Sequence, residues 1–140
     1  MSDYVRTKAV RYLPTEKDMV GVKDFWDLED RFPEAYSKRL GRGKASSGYF
    51  EVCGTDENYY IDFVLDYEYG SCCGEFGKVR YLTEPELEKA VKLFSQIFED
   101  PDPANFRLVD YCYYNCCEAP DCFDLEEDEF YKEVTLPSIN

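Results

Sequence analysis

Apolar and polar residues alternate along this chain with two periods, and each period predicts its own elements. From Asn58 to Tyr69 the odd positions carry Tyr59, Ile61, Phe63, Leu65 and Tyr67, and the even positions carry Tyr60, Asp62, Val64, Asp66 and Glu68. A period of two predicts a strand with one packed and one solvent face. It places Asp62, Asp66 and Glu68 together on the outward side. Tyr4–Leu13 is rich in β-branched and aromatic residues and stops at Pro14, so it also reads as a strand. Tyr49–Cys53, Lys78–Leu82 and Phe106–Cys116 read the same way, and the Gly-Thr-Asp-Glu stretch at 54–57 suits a hairpin turn.

The helical period is clearest from Glu84 to Glu99. There Leu87, Ala90, Val91, Phe94, Ile97 and Phe98 share one face, Thr83 with Glu86 forms a capping box, and Pro85 sits in the first turn. Lys23–Leu40 reads as helix with Phe25, Leu28, Glu29 and Phe32 on one side. Pro33 interrupts it and opens a second short helix, because a first helical position tolerates the missing N–H. A last short helix is expected over Asp124–Glu133, capped by Asp124 with Glu127 and anchored by Leu125, Phe130 and Val134. Residues 41–48 read as a flexible basic loop. The expected fold class is α+β, a single domain over 1–140. It combines an antiparallel β-sheet of about four strands, helices packed on one face, and an acidic C-terminal segment, 118–140.

Composition adds a core and a sign. Apolar residues make up 44% of the 140 positions, and 23 are Phe or Tyr, so there is enough apolar mass to exclude wholesale disorder. Net charge is −14 with no histidine. Such a surface repels nucleic acid and anionic lipid and attracts basic partners. The excess is one-sided: residues 1–48 carry ten Lys/Arg and eight Asp/Glu, whereas residues 49–140 carry six and 22. No segment approaches the ~20 apolar residues that span a bilayer, and the first thirteen residues lack the apolar run of a signal peptide. The expectation is a cytoplasmic protein with reduced thiols, which also suits an odd cysteine count of seven.

Catalytic chemistry finds little support. Without histidine there is no Ser–His or Cys–His arrangement, and no phosphate-cradling Gly-rich loop is present. Asp62 and Asp66 are compatible with an acid/base pair, but a solvated strand face explains them as well. A non-enzyme is expected. Cys72, Cys112, Cys116 and Cys122 form a candidate zinc set. However, no Cys-x-x-Cys knuckle exists, and small buried hydrophobes are the favoured reading of these cysteines. The 121–129 run lacks the spacing of an EF-hand loop. The aromatic run at 111–117 has only Arg107 nearby to hold a phosphate, which disfavours direct nucleic-acid binding. No cofactor and no membrane partner are expected.

The densest feature is Glu118–Glu133. Its eight carboxylates, among them Glu118, Asp121, Asp124, Glu126, Glu127, Asp128 and Glu129, face a single cation, Lys132. As a helix, Asp124–Glu133 would set six carboxylates along roughly 14 Å, or one per about 2.3 Å of axis. Duplex DNA carries one phosphate per ~1.7 Å. Self-repulsion of this kind costs stability, so a partner with a basic groove is the natural explanation, with Asp62, Asp66 and Glu68 adding to the acidic surface.

The segment "DLEEDEFYKEVTL", Asp124–Leu136, resembles the acidic tail of small anti-CRISPR proteins that inhibit Cas nucleases, in which a short antiparallel sheet lies beside helices. The resemblance covers thirteen residues and a similar strand–strand–helix order. It implies an inhibitor from a phage or mobile element, acting in the cytoplasm of the host cell. Its acidic surface would take the place of DNA on a Cas nuclease or its complex, with Glu126, Glu127, Asp128 and Glu129 facing Arg and Lys. Two alternatives stand beside it, an acidic immunity protein that neutralises a basic toxin and a small zinc-binding module.

Overall fold

The computed structural model describes residues 3–37, 47–55, 58–70, 74–127 and 129–139. In chain order the elements are β1 (Tyr4–Tyr12), α1 (Phe25–Glu29), β2 (Tyr49–Thr55), β3 (Asn58–Tyr69), β4 (Phe76–Arg80), α2 (Glu84–Phe94) and β5 (Phe106–Tyr114). The strands form one antiparallel sheet of five, one more than expected, in the order β2-β3-β1-β5-β4. The first strand in sequence therefore lies at the centre. The expected loop falls outside the described residues over 41–46, as do Asp56 and Glu57 of the hairpin turn.

Side chains of neighbouring strands alternate in register, which defines two sheet faces. On the first face Val10 and Tyr12 of β1 lie beside Phe63 and Ile61 of β3 and Leu108 and Phe106 of β5. These residues share one core cluster with Ala90, Leu93 and Phe94 of α2 and Leu28 of α1. Phe94 supplies the centre of that contact, with ring centroids 5.8, 5.1 and 5.1 Å from Tyr12, Phe50 and Phe106. On the second face, Ala9 of β1 packs with Val79, Val109, Tyr111 and Cys122.

Both helices are shorter than their periodicity predicts. The Thr83/Glu86 capping box forms with Pro85 behind it, but regular helix ends at Phe94. Beyond it the bonds tighten to the 3-10 pattern, Gln96 N to Leu93 O and Ile97 N to Phe94 O, while the Ser95 hydroxyl and the Gln96 side-chain amide add second bonds to Val91 O and Leu93 O. Ile97 and Phe98 are nonetheless buried. α1 is capped by Asp24, whose carboxylate accepts from Trp26 N and Asp27 N, and only a 3-10 turn, Glu34–Tyr36, follows Pro33.

The expected helix over Asp124–Glu133 does not form. The described residues of 121–139 hold no helix or strand apart from one bridge, at which Glu127 pairs in parallel with Val79 on β4. Cys122 and Phe123 are buried against the second face, whereas Phe130 and Leu136 belong to the first-face cluster. The chain thus passes around the β4 edge of the sheet as a strap. Along it Phe130, Val134 and Leu136 turn inward, while Glu127, Glu129 and the run Tyr131, Lys132 and Glu133 are exposed. Three apolar anchors at even spacing make an extended path bury more than one helical turn could. Among the described residues no helix is long and apolar enough to cross a membrane.

Candidate functional site

The second face carries a buried ion pair directly under the strap. Arg11, at the end of an otherwise apolar stretch of β1, is 1% exposed and Asp62 on β3 is 0% exposed. Arg11 Nε and Nη2 donate to the two Asp62 oxygens at 2.8 and 3.0 Å. The Tyr111 hydroxyl adds a 2.8 Å bond to Asp62, and the Cys53 thiol a contact at 3.3 Å. Arg11 Nη1 reaches the strap, donating to Pro120 O at 3.1 Å and to Cys122 Sγ at 3.3 Å. The rings of Tyr60 and Tyr111 stand 5.0 and 4.8 Å from the guanidinium. Burial works against the Arg11 charge, but the charge and hydrogen bonds of Asp62 outweigh it and raise the pKa well above the ordinary value.

Asp62 is therefore no part of an outward acidic face. A β-bulge between β1 and β3, marked by the register step from Val64 to Asp66, reverses the alternation there. Before it Asp62 points to the second face. After it Asp66 and Glu68 lie on the first-face side, across from Lys8 and Arg6. The predicted acid/base pair of Asp62 and Asp66 is split across the sheet. Asp66 and Glu68 are exposed, but they sit beside the chain's own cations, and both reinforce the Arg6 charge.

The cysteines follow separate fates. Cys112 is disulfide-bonded, which corrects the expectation of seven reduced thiols, while Cys53, Cys116, Cys117 and Cys122 are free. Cys72 lies outside the described residues. Burial raises the Cys122 thiol to about 11 and raises Cys53 well above the ordinary value, with the Asp62 charge adding to the latter. Cys116 is exposed at the end of β5 and away from Cys122 in exposure and role. Among the described residues no three metal-ligating side chains converge.

The acidic strap divides into two sites. Glu118 and Asp121, both exposed, line a cleft of about 190 Å³ with Arg11, Cys53, Asn58 and Tyr60. Asp121 is tied down by Phe123 N and by the Tyr60 hydroxyl. Asp124 and Glu126 are exposed at the turn onto the sheet edge. Beyond it Glu127 and Glu129 line a groove of about 550 Å³, joined by Glu133, Tyr81 and Tyr131. Glu127 also accepts from Tyr81 N at 2.8 Å, which fixes the strap to the end of β4. Asp128 lies outside the described residues.

The floor of this groove is held by Arg80. Its Nη1 and Nη2 bind both Glu86 oxygens at 2.8 and 3.0 Å, and Nη2 also donates to Lys132 O at 2.8 Å. Glu86 accepts in addition from Thr83 N and Val134 N. Burial would raise the Glu86 pKa. The Arg80 hydrogen bond, the two backbone N–H groups and the Arg80 charge together overcome it and hold the carboxyl at about 2. One carboxylate thus clamps the helix cap, the β4 arginine and the strap.

Sequence periodicity alone misses Glu133, Tyr81 and Tyr131 as site residues, along with Arg11. The signals are present in the chain. Phe130, Val134 and Leu136 fall on even positions among Glu127, Glu129, Tyr131 and Glu133, a period of two interrupted by Asp128 and Lys132 within a segment whose carboxylate density suggests a helix. No protein-family model, no curated protein and no solved structure matches the chain.

Proposed function

We propose that this chain is a non-enzymatic inhibitor that docks on a basic, nucleic-acid-binding groove of a Cas-type defence nuclease. The observation that carries the reading is the row Glu127, Glu129 and Glu133, exposed along a strap that Phe130 and Leu136 root in the core. All three line one groove, so this row presents carboxylates to one side, which consecutive helical residues cannot. The mode differs from a DNA-like helix. An extended backbone rises ~3.3 Å per residue against ~1.5 Å, so the same charges spread over about twice the length and no longer match duplex density. In this reading both helices cover the first face and the strap is the working rim. Asp66 and Glu68, beside Lys8 and Arg6, contribute little, and Asp62 none.

Capture of a Cas-type nuclease complex on the immobilised protein, with duplex DNA as competitor, tests the proposal. Release by DNA is expected. The triple substitution Glu127→Lys, Glu129→Lys, Glu133→Lys is expected to abolish capture while the circular dichroism spectrum stays unchanged. Capture unaffected by both the DNA and the triple substitution would overturn the reading.

A further inference from the structure

β5 runs out into a tight turn that carries two consecutive cysteines. Cys117 N donates to Tyr114 O at 2.9 Å and closes the turn, and Asn115 N donates to Asp3 O at 3.0 Å and ties it to the start of β1. Cys116 and Cys117 are both exposed, and the Cys117 thiol is hydrogen-bonded to that of Cys116. The other free cysteines among the described residues, Cys53 and Cys122, are buried against Asp62 and Arg11. A reagent in solution therefore meets two sulfurs held side by side on a fixed backbone.

Such a pair can close to a disulfide or be bridged by one soft atom. Geometry works against the disulfide. Consecutive Cα atoms lie ~3.8 Å apart, short of the ~4.4–6.8 Å that an ordinary disulfide spans. Closure also needs an oxidant, and an anionic one such as oxidised glutathione is repelled by a chain of net charge −14. A bridging atom sits between the sulfurs and removes the need for them to meet. The surroundings choose among such atoms. The hydrogen bond to Cys116, with the Glu75 charge adding to it, raises the Cys117 thiol and keeps it protonated at neutral pH. An uncharged electrophile that consumes two neutral S–H groups is thus the best match.

We propose that Cys116 and Cys117 form a dithiol site for trivalent arsenic, taken as arsenous acid or a neutral organoarsenical. Arsenic in this state is soft, and cysteine sulfur is the donor that soft centres select. In the reaction with arsenous acid two S–H and two As–OH bonds break, two As–S bonds form and two waters leave. No electron is transferred and no proton is released to solvent. The site lies at the root of the strap, three residues before Pro120, and stands independently of the nuclease reading.

Phenylarsine oxide is the probe, added to the folded protein in excess mercaptoethanol and followed by native mass spectrometry. One adduct per chain is expected, with the mass of the reagent less one water, because both thiol protons leave on its oxygen. Mercaptoethanol should leave the adduct in place and dimercaptopropanol should remove it, since a second dithiol competes with the chelate. Cys116→Ser and Cys117→Ser should each lose it. Both side chains are exposed, so the fold is preserved, and an unchanged circular dichroism spectrum checks this. In the ¹⁵N-labelled native protein, amide shifts on binding should centre on 113–119. No adduct surviving mercaptoethanol, an adduct retained by either serine variant, or shifts centred on Cys53 or Cys122 would each overturn the proposal. Zinc ion that displaces the arsenical would do so too, by making the pair part of a metal site.

Discussion

At position 11 a guanidinium lies between two tyrosine rings with a carboxylate at its fork, all of it buried. Removing one partner of such a pair leaves the other charged and unsolvated. Arg11→Met and Asp62→Asn should each lower the free energy of unfolding by about 3–5 kcal/mol. The double variant Arg11→Met/Asp62→Leu should recover much of that loss, and a double-mutant cycle in urea measures the difference. Glu86 predicts a pH dependence of opposite origin. Its carboxyl is held at about 2, below the ordinary 4.5, so its contribution to stability is complete above pH 4.5 and is lost as pH falls toward 2. Urea midpoints across that window should fall in the native protein, and Glu86→Gln should flatten the slope there while lowering stability near neutrality. Neither residue is conspicuous in the sequence. A charged residue among apolar neighbours on a strand reads as outward-facing until a cover for the second face is known, and here that cover comes from residues 118–123.

Among the elements, the strands were the most legible part of the chain, because alternation is local and β3 carries it over twelve residues. What alternation cannot show is a bulge, since one extra residue reverses every face beyond it. Simple alternation therefore groups Asp62 with Asp66 and Glu68, which the bulge separates. The strap departs from its expected helix for a different reason. Local charge and capping residues favoured a helix, but Phe130, Val134 and Leu136 had a hydrophobic cluster within reach only along an extended path, so tertiary packing overrode propensity. Gly77 shows how closely the strap fits. A β-carbon there would stand 3.0 Å from Cys122 Cβ and 3.1 Å from Leu125 Cδ1. Gly77→Ala should therefore push the strap off β4, costing about 1–3 kcal/mol. Hydrogen exchange should speed up over 121–127 while α2 stays protected. Unchanged exchange in that segment would show that the strap does not depend on the contact.

For the whole molecule, the net charge of −14 acts in two directions. It repels itself within the protein and attracts a basic partner, and salt screens both effects. Raising ionic strength from about 0.01 to 0.15 M should increase the urea midpoint of the free protein and weaken its capture by a basic partner. A binding curve flat in salt would point to an interface made by Tyr81 and Tyr131 without the carboxylates. Both sheet edges are partly occupied, by Glu127 at Val79 on β4 and by Ser37 at Phe50 on β2. This limits edge-to-edge pairing of copies and leaves side chains, rather than open backbone, as the means of recognition.

The position of β1 has a further consequence for how the protein is made. Residues 4–12 leave the ribosome well before their two neighbours, 58–69 and 106–114. The Arg11 charge can meet Asp62 once β3 has emerged, but its last nitrogen finds Pro120 only after β5 has followed. Until then the centre of the sheet has an open side, and assembly must wait for contacts very distant in sequence, which slows it. A nascent chain halted before residue 106 should thus carry a half-built sheet and be a substrate for chaperones.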